Sequence, residues 1–101
     1  MNFKKIQQLI KKGEYLFSEH ADEERTKDNL IAEDIEEAVL AGKVIQERLD
    51  DPRGESRLIA GFNKQGEPIH VVVGLRFGFP VIITVYRPSK NEWISGKIRK
   101  R

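Results

Sequence analysis

The spacing of apolar residues changes from a helical period to a strand period near residue 42. The first helix is predicted from apolar residues three or four positions apart, namely Phe3, Ile6, Leu9 and Ile10. Gly13 marks its end, and Ser18 is a typical N-cap for a second helix over residues 19–28. Apolar residues recur at helical spacing again over residues 32–41, and Gly42 stands where a helix commonly ends. The pattern therefore predicts three helices in the first 41 residues.

After Gly42, apolar and polar residues alternate as in strands. Four strands are predicted between turns that contain proline or glycine: KVIQERL, RLIAGFN, IHVVVGLR and VIITVYRP. The segment EYLFS is predicted to be a short extended link. Helices followed by hairpins indicate an α+β fold, with N-terminal helices packed on one face of a four-stranded antiparallel sheet. We expect a single domain over residues 1–101, with helices at about 3–41, the sheet at about 43–88 and a basic tail at 89–101.

The predicted hairpins set an expected register for the sheet. A two- or four-residue turn at FGFP pairs Arg76 with Val81 and His70 with Arg87, and a turn at KQGE pairs His70 with Gly61. One face is then apolar and lies against the helices. The other face carries four residues that suit a phosphate backbone, Arg57, His70, Arg76 and Arg87. Two alternatives stay open: these are solvent-facing arginines and a core histidine, or a bulge places Thr84 and Tyr86 beside His70 instead.

Charge is distributed unevenly along the chain, although the net charge is only +2. Residues 1–13 carry four lysines, residues 14–56 have a net charge of −9, and residues 57–101 have a net charge of +7. A basic half suggests a polyanionic partner such as RNA. The alternative is a solvated surface without a partner.

Composition excludes several classes of protein. The chain has no cysteine, so a disulfide framework, a thiolate zinc site and a cysteine nucleophile are excluded. It has no apolar run near the roughly 20 residues of a membrane span, and its N-terminus does not match a secretory signal. We expect a cytoplasmic protein without membrane contact. Phosphate-loop, GxSxG and HExxH motifs are lacking, and no cofactor is expected.

His20 stands near the start of the second predicted helix, four residues before Glu24. The two side chains share a helix face, where Glu24 can orient the imidazole. Such a histidine suits acid–base catalysis, and Arg25 beside it suits an anion. The alternative is a surface helix without chemistry. His20, Glu24 and His70 could supply three metal ligands, but their spacing matches no known signature, so no metal site is predicted.

Several segments occur in a familiar order: a serine and HA, then an arginine, EDIEEAVLAGKVI, HVVV and IITVYRP. Over about residues 16–88 the chain thereby resembles the bacterial and archaeal family called domain of unknown function 4258. That family looks related to RelE/ParE-like toxins and to the barnase–EndoU–colicin–RelE group of compact ribonuclease folds. The resemblance implies a RelE-like fold of helices on a four-stranded antiparallel sheet.

The resemblance also implies a metal-independent endoribonuclease, and a toxin whose partner is an antitoxin protein. The implied products carry 2′,3′-cyclic phosphate ends. The corresponding catalytic residues are His20 as the base and His70 or Tyr86 as the acid. The corresponding substrate-binding residues are Arg25 and Thr84, and the cationic sheet face predicted above adds Arg57, Arg76 and Arg87. The competing interpretations are a non-catalytic RNA- or protein-binding module of the same fold, and a purely structural protein.

Overall fold

The computed structural model describes residues 1–89, which form three helices and five strands. The predicted helices and the four predicted strands are all present, with ends that differ by at most two residues from those expected. The basic tail from residue 90 onwards lies outside the described residues. The elements are α1 (Phe3–Lys11), β1 (Leu16–Phe17), α2 (Glu19–Lys27), α3 (Ala32–Ala41), β2 (Lys43–Arg48), β3 (Ser56–Phe62), β4 (Pro68–Arg76) and β5 (Phe79–Tyr86).

Short polar side chains define where the helices begin. The Asn2 side chain accepts a hydrogen bond from Lys5 N at the start of α1, and Ser18 Oγ accepts one from Ala21 N at the start of α2. These bonds satisfy backbone donors that have no partner inside the helix. The start of α3 lacks a capping side chain, and the Asp34 carboxylate instead accepts from the N-cap N–H. The prediction that Ser18 caps the second helix is confirmed.

The sheet is five-stranded and mixed, in the order β1-β5-β4-β3-β2, so the expectation of a four-stranded antiparallel sheet is wrong. The predicted α+β class is correct. The difference lies in EYLFS, where Leu16 and Phe17 pair in parallel with Val81 and Ile82 of β5. The N–H of Ser18 also donates to the carbonyl of Ile82 over 2.9 Å. The extended link therefore adds a short strand at the edge of β5.

The expected register of β3 against β4 is wrong by one residue. His70 pairs with Ala60 rather than Gly61, because the hairpin loop has five residues, 63–67, and not four. Asn63 organises this loop: its Oδ1 accepts from the N–H groups of residues 65 and 67, and its Nδ2 donates to Glu67. A shift of one residue exchanges the two faces of a strand. It places Arg57 on the face opposite to that of His70.

The expected register of β4 against β5 is also wrong. The turn has two residues, Phe77 and Gly78, both with positive φ, as in the turns that suit hairpin twist. A bulge near Ile83 then shifts the pairing, so that His70 faces Tyr86 rather than Arg87. The bulge alternative left open above is the arrangement that the structure adopts.

The helices cover one face of the sheet, here called the inner face. Helix α3 packs on β3 and β4, and α2 packs on β5. The inner face contributes six buried side chains to the core, Ile59, Ile69, Val71, Val73, Ile82 and Val85. The opposite side is the outer face, and it carries Ser56, Leu58, Ala60, His70, Val72, Gly74, Arg76, Thr84 and Tyr86. No helix within residues 1–89 is both long and apolar enough to cross a membrane.

Candidate functional site

A cleft of about 260 Å³ opens on the outer face, between the β2–β3 loop and the middle of the sheet. Its floor comes from Leu58, Val72 and Ile83, and its polar groups include Ser56 and Thr84. Ser56, Val72 and Thr84 lie on three neighbouring strands, since Val72 pairs with both Leu58 and Thr84. An apolar floor with a few polar groups is typical of a ligand site.

Three arginines line this cleft, Arg48, Arg53 and Arg76. Of the three, only Arg76 is predicted from the sequence. Arg48 was missed because a bulge between Val44 and Gln46 breaks the alternation of β2. The turn motif DPRG between two predicted strands was the available signal for Arg53. The arginines give the cleft the fixed positive charge that a phosphate group requires.

Asp51 is the acidic residue of the cleft, and it pairs with Arg53 through both carboxylate oxygens, at 3.2 and 3.1 Å. Hydrogen bonds from Arg53 lower the pKa of Asp51 to about 2. Asp51 is therefore ionised at neutral pH and offsets the charge of Arg53. Among residues 1–89, neither Arg48 nor Arg76 forms an ion pair, so these two supply the net charge of the cleft.

The backbone at Gly54 gives the cleft its wall. Gly54 has φ +116°, and a Cβ atom there would overlap the carbonyl oxygen of Leu75. Only glycine allows this backbone conformation and this approach. The β2–β3 loop can therefore lie directly against the end of β4, which brings Arg53 to the rim beside Arg76.

His70 and Tyr86 form a pair on the outer face, two residues along their strands from Val72 and Thr84. Nδ1 of His70 lies 2.9 Å from the Tyr86 hydroxyl, and the rings meet edge to face. The His70 residue is only 2% exposed, whereas Tyr86 is half-buried. Two residues along a strand span about 7 Å, so this pair adjoins the cleft. The structure thus brings together three predicted site residues, His70, Thr84 and Tyr86.

His20 lies at the edge of β5 rather than on the outer face. Its Nε2 is 3.3 Å from Glu24 Oε2, as the helical spacing predicted. Glu24 Oε1 in turn accepts a hydrogen bond from Val85 N over 3.1 Å. One carboxylate therefore connects His20 to the strand segment between Thr84 and Tyr86. The His20 side chain is 68% exposed and accessible to a ligand.

Arg57 lies apart from the cleft, on the inner face, so the prediction that it shares a face with His70 is wrong. It is 6% exposed, and its guanidinium donates to Glu47 over 3.0 Å and to the carbonyl of Met1 over 2.7 Å. Glu55 lies 3.5 Å away and also accepts from the N-terminal amine. These contacts hold the N-terminus against the edge of the sheet.

The other two predicted arginines also make internal contacts. Arg25 pairs with Asp22 at 2.7 Å, donates to the carbonyl of Leu30 and stacks on the Phe17 ring at 5.1 Å. Arg87 follows β5, donates to the carbonyl of Asp28 and pairs with Glu67. Both arginines stabilise the ends of helices and loops in this arrangement, and their predicted role in binding phosphate stays a prediction.

The described part of the chain holds no group of three or more histidine, cysteine or acidic side chains able to share a metal ion. The three residues considered above as metal ligands are separated: His20 pairs with Glu24, and His70 pairs with Tyr86. The polar groups at the cleft are three guanidinium groups, hydroxyl and amide groups, and the single Asp51 carboxylate, which pairs with Arg53; this set suits an anion rather than a cation.

Residues 17–87 match the family described as domain of unknown function (DUF4258). The match includes α2, α3, the whole sheet except the first residue of β1, and the cleft. No curated protein and no solved structure matches the chain. Because the matched region covers more than two thirds of the sequence, the chain belongs to the DUF4258 family.

Proposed function

We propose that this protein binds RNA on the outer face and cleaves it without a metal ion. One observation carries the proposal: a cleft with Arg48 and Arg76 adjoins a hydrogen-bonded His70–Tyr86 pair on the same face. RNA cleavage of this kind needs cations for the phosphate and two groups that exchange protons. The outer face offers the cations and, two residues along the strands, the Tyr86 hydroxyl, while a second titratable group, His20, lies at the edge of β5.

The arginines would hold the scissile phosphate. A guanidinium fork donates two parallel hydrogen bonds to phosphate oxygens, and its charge opposes the negative charge that grows in the transition state. Arg76 donates one N–H to the carbonyl of Leu75, which fixes the side chain and leaves further donors for a ligand. Thr84 and Ser56 add hydroxyl groups at the same cleft.

The proton transfers are assigned as follows. A base removes the 2′-hydroxyl proton, the 2′-oxygen attacks phosphorus, and the P–O5′ bond breaks to leave a 2′,3′-cyclic phosphate. An acid returns a proton to the departing 5′-oxygen. Tyr86 is the proposed acid, with His70 as the partner that orients its hydroxyl. His20 is the proposed base, since it is exposed and Glu24 anchors it beside β5.

The second candidate function is RNA binding without cleavage. The observation that favours it is the burial of His70, which is 2% exposed and engaged with Tyr86 at Nδ1. A buried imidazole does not reach a substrate atom directly. Under this interpretation the His70–Tyr86 pair stabilises the strands, and the cleft alone recognises phosphate.

A cleavage assay separates the two candidates. Purified protein is incubated with a mixed RNA in EDTA, and the product ends are identified. We expect 2′,3′-cyclic phosphate ends and a rate about 100-fold lower for Tyr86→Phe. Tyr15→Phe is the matched control, because Tyr15 bonds to Glu36 on the helical side of the molecule. Products with 3′-hydroxyl ends contradict the mechanism.

If the RNA stays intact in that assay, the protein either binds RNA without cleaving it or does not interact with RNA, and a gel shift distinguishes these two cases. A shift that weakens with salt supports the binding function, because contacts to phosphate release counterions. We expect Arg48→Met and Arg76→Met to weaken this shift in either case. If the protein neither cleaves RNA nor shifts it, the whole proposal fails.

The antitoxin partner is a further part of the proposal, and co-expression with a small acidic partner protein would test it.

A further inference from the structure

The turn between β4 and β5 presents an aromatic ring to solvent. Phe77 is 107% exposed, more than any other large apolar residue within residues 1–89, and Phe79 two positions later is 38% exposed. These two rings occupy the tip of the longest hairpin in the sheet. Exposed apolar residues that lie together, rather than singly across the surface, often mark a site of contact with another molecule.

Phenylalanine is also an unfavourable residue for the conformation of this turn. Phe77 has φ +55°, a left-handed conformation that glycine, asparagine and aspartate adopt more easily. The sequence thus accepts local strain in order to keep a ring where it makes no contribution to the core. Strain that the fold does not require is a reason to look for a function at that position.

The rings adjoin the cationic cleft. Arg76 lines the cleft and directly precedes Phe77, and it pairs with Phe79 across the hairpin. Paired residues point to the same face, so Phe79 lies on the outer face with Arg76. The cleft volume of about 260 Å³ is small for a whole nucleotide. A nucleotide with its phosphate in the cleft must place its base outside, where the rings are.

We propose that Phe77 and Phe79 form a stacking platform for an unpaired base of the RNA, and so select single-stranded over double-stranded RNA. The inference rests on the proposed function and adds its substrate class. Aromatic rings stack on bases of any sequence, whereas the bases of a duplex are already stacked and paired. A single strand can place a phosphate at Arg76 and an unpaired base on the adjacent rings at the same time.

The test measures binding of a labelled 2′-O-methyl RNA of about 12 nucleotides, which lacks the attacking hydroxyl, by fluorescence anisotropy. The same strand annealed to its complement is the duplex probe. We expect Phe77→Ala to weaken single-strand binding about tenfold to hundredfold, and Phe77→Trp to retain it. Tighter binding of the duplex than of the single strand would overturn the inference.

Phe77→Asn provides the sharper variant. Asparagine followed by glycine suits this turn, so we expect a higher midpoint of thermal unfolding together with the same loss of RNA binding as Phe77→Ala. A variant that gains stability and loses affinity excludes misfolding as the cause. Equal affinity of Phe77→Asn and the unaltered protein would overturn the platform.

Arg48→Met distinguishes a failure of this inference from a failure of the proposed function. If Arg48→Met weakens binding and both Phe77→Ala and Phe77→Asn leave it unchanged, the cleft binds RNA and the platform is wrong. If the unaltered protein binds neither RNA probe, the proposed function and the platform both fail.

Discussion

The hydroxyl of Tyr86 lies 2.9 Å from Nδ1 of His70, on adjacent strands and on the sheet face opposite to the helices. Their neighbours on this face include Ala60, Val72 and Thr84. Because His70 is almost completely buried, its ring nitrogens depend on partners inside the protein. The pair therefore links the stability of the sheet to the group proposed for proton transfer.

Tyr86→Phe should lower the free energy of unfolding by about 1–3 kcal/mol, because it removes a hydrogen bond to a buried nitrogen. Urea unfolding of Tyr86→Phe, His70→Phe and the double variant measures how much of this loss belongs to the pair. We expect a coupling free energy of about 1 kcal/mol. Strictly additive losses would show that the two side chains act independently.

Arg57 and Arg48 should separate stability from binding. Arg57 is buried among Glu47, Glu55 and the Met1 carbonyl, so we expect Arg57→Met to destabilise the fold by about 1–3 kcal/mol. RNA affinity should change little. Arg48→Met should have the opposite effects, with stability within about 0.5 kcal/mol of the unaltered protein. Urea unfolding and a gel shift on both variants provide the measurements. If Arg57→Met is fully folded and still loses much of its RNA affinity, Arg57 contributes to RNA binding after all.

Tyr15 should make the protein sensitive to alkaline pH. Burial, and then the 2.6 Å hydrogen bond to Glu36, raise the pKa of Tyr15 well above its ordinary value near 10. A raised pKa in the folded state means that the stability from this residue is complete below pH 10 and decreases as the pH rises above it. Urea unfolding at pH 7 to 11 should therefore show a decline that is smaller in Tyr15→Phe. A parallel decline in both proteins would contradict this assignment.

Gly61 should not tolerate a side chain. A Cβ atom at this position would overlap the carbonyl oxygen of Ala38, so α3 would have to move away from β3. We expect Gly61→Ala to destabilise the protein by about 3 kcal/mol. Gly78→Ala is the control, because its Cβ would meet no atom within 4 Å and only the positive φ opposes it. The control should lose about 1 kcal/mol. Equal losses in thermal or urea unfolding would show that the approach of Ala38 is not limiting.

The elements that could be predicted are those that short segments of sequence determine. Ser18 caps a helix through a bond to Ala21, three residues away, and the alternation of IHVVVGLR needs only neighbouring residues to indicate a strand. The helical spacing of His20 and Glu24 likewise predicted their contact. These features depend on the local backbone, so distant parts of the chain do not alter them.

The features that could not be predicted depend on loop length and on distant contacts. Asn63 produces a five-residue loop through side-chain hydrogen bonds to residues 65 and 67, and the bulge near Ile83 is a local irregularity in the pairing of β5 with β4. Each shifts a strand by one residue and so changes which side chains share a face. The five-residue loop is why the sequence places Arg57 on the wrong face, whereas Arg48 is missed because of the separate bulge in β2.

The bulge in β2 has a consequence for encounters between copies of this protein. β2 is the outermost strand on the side of the sheet away from β1, and its exposed charges include Lys43, Glu47 and Arg48. A second strand that approached this edge would meet an irregular backbone and charged side chains at close range. At the other edge, Ser18 and Glu24 already occupy a carbonyl and an N–H of β5. The sheet is thus poorly suited to growth into a larger aggregate, and concentrated solutions of the protein should resist fibril formation.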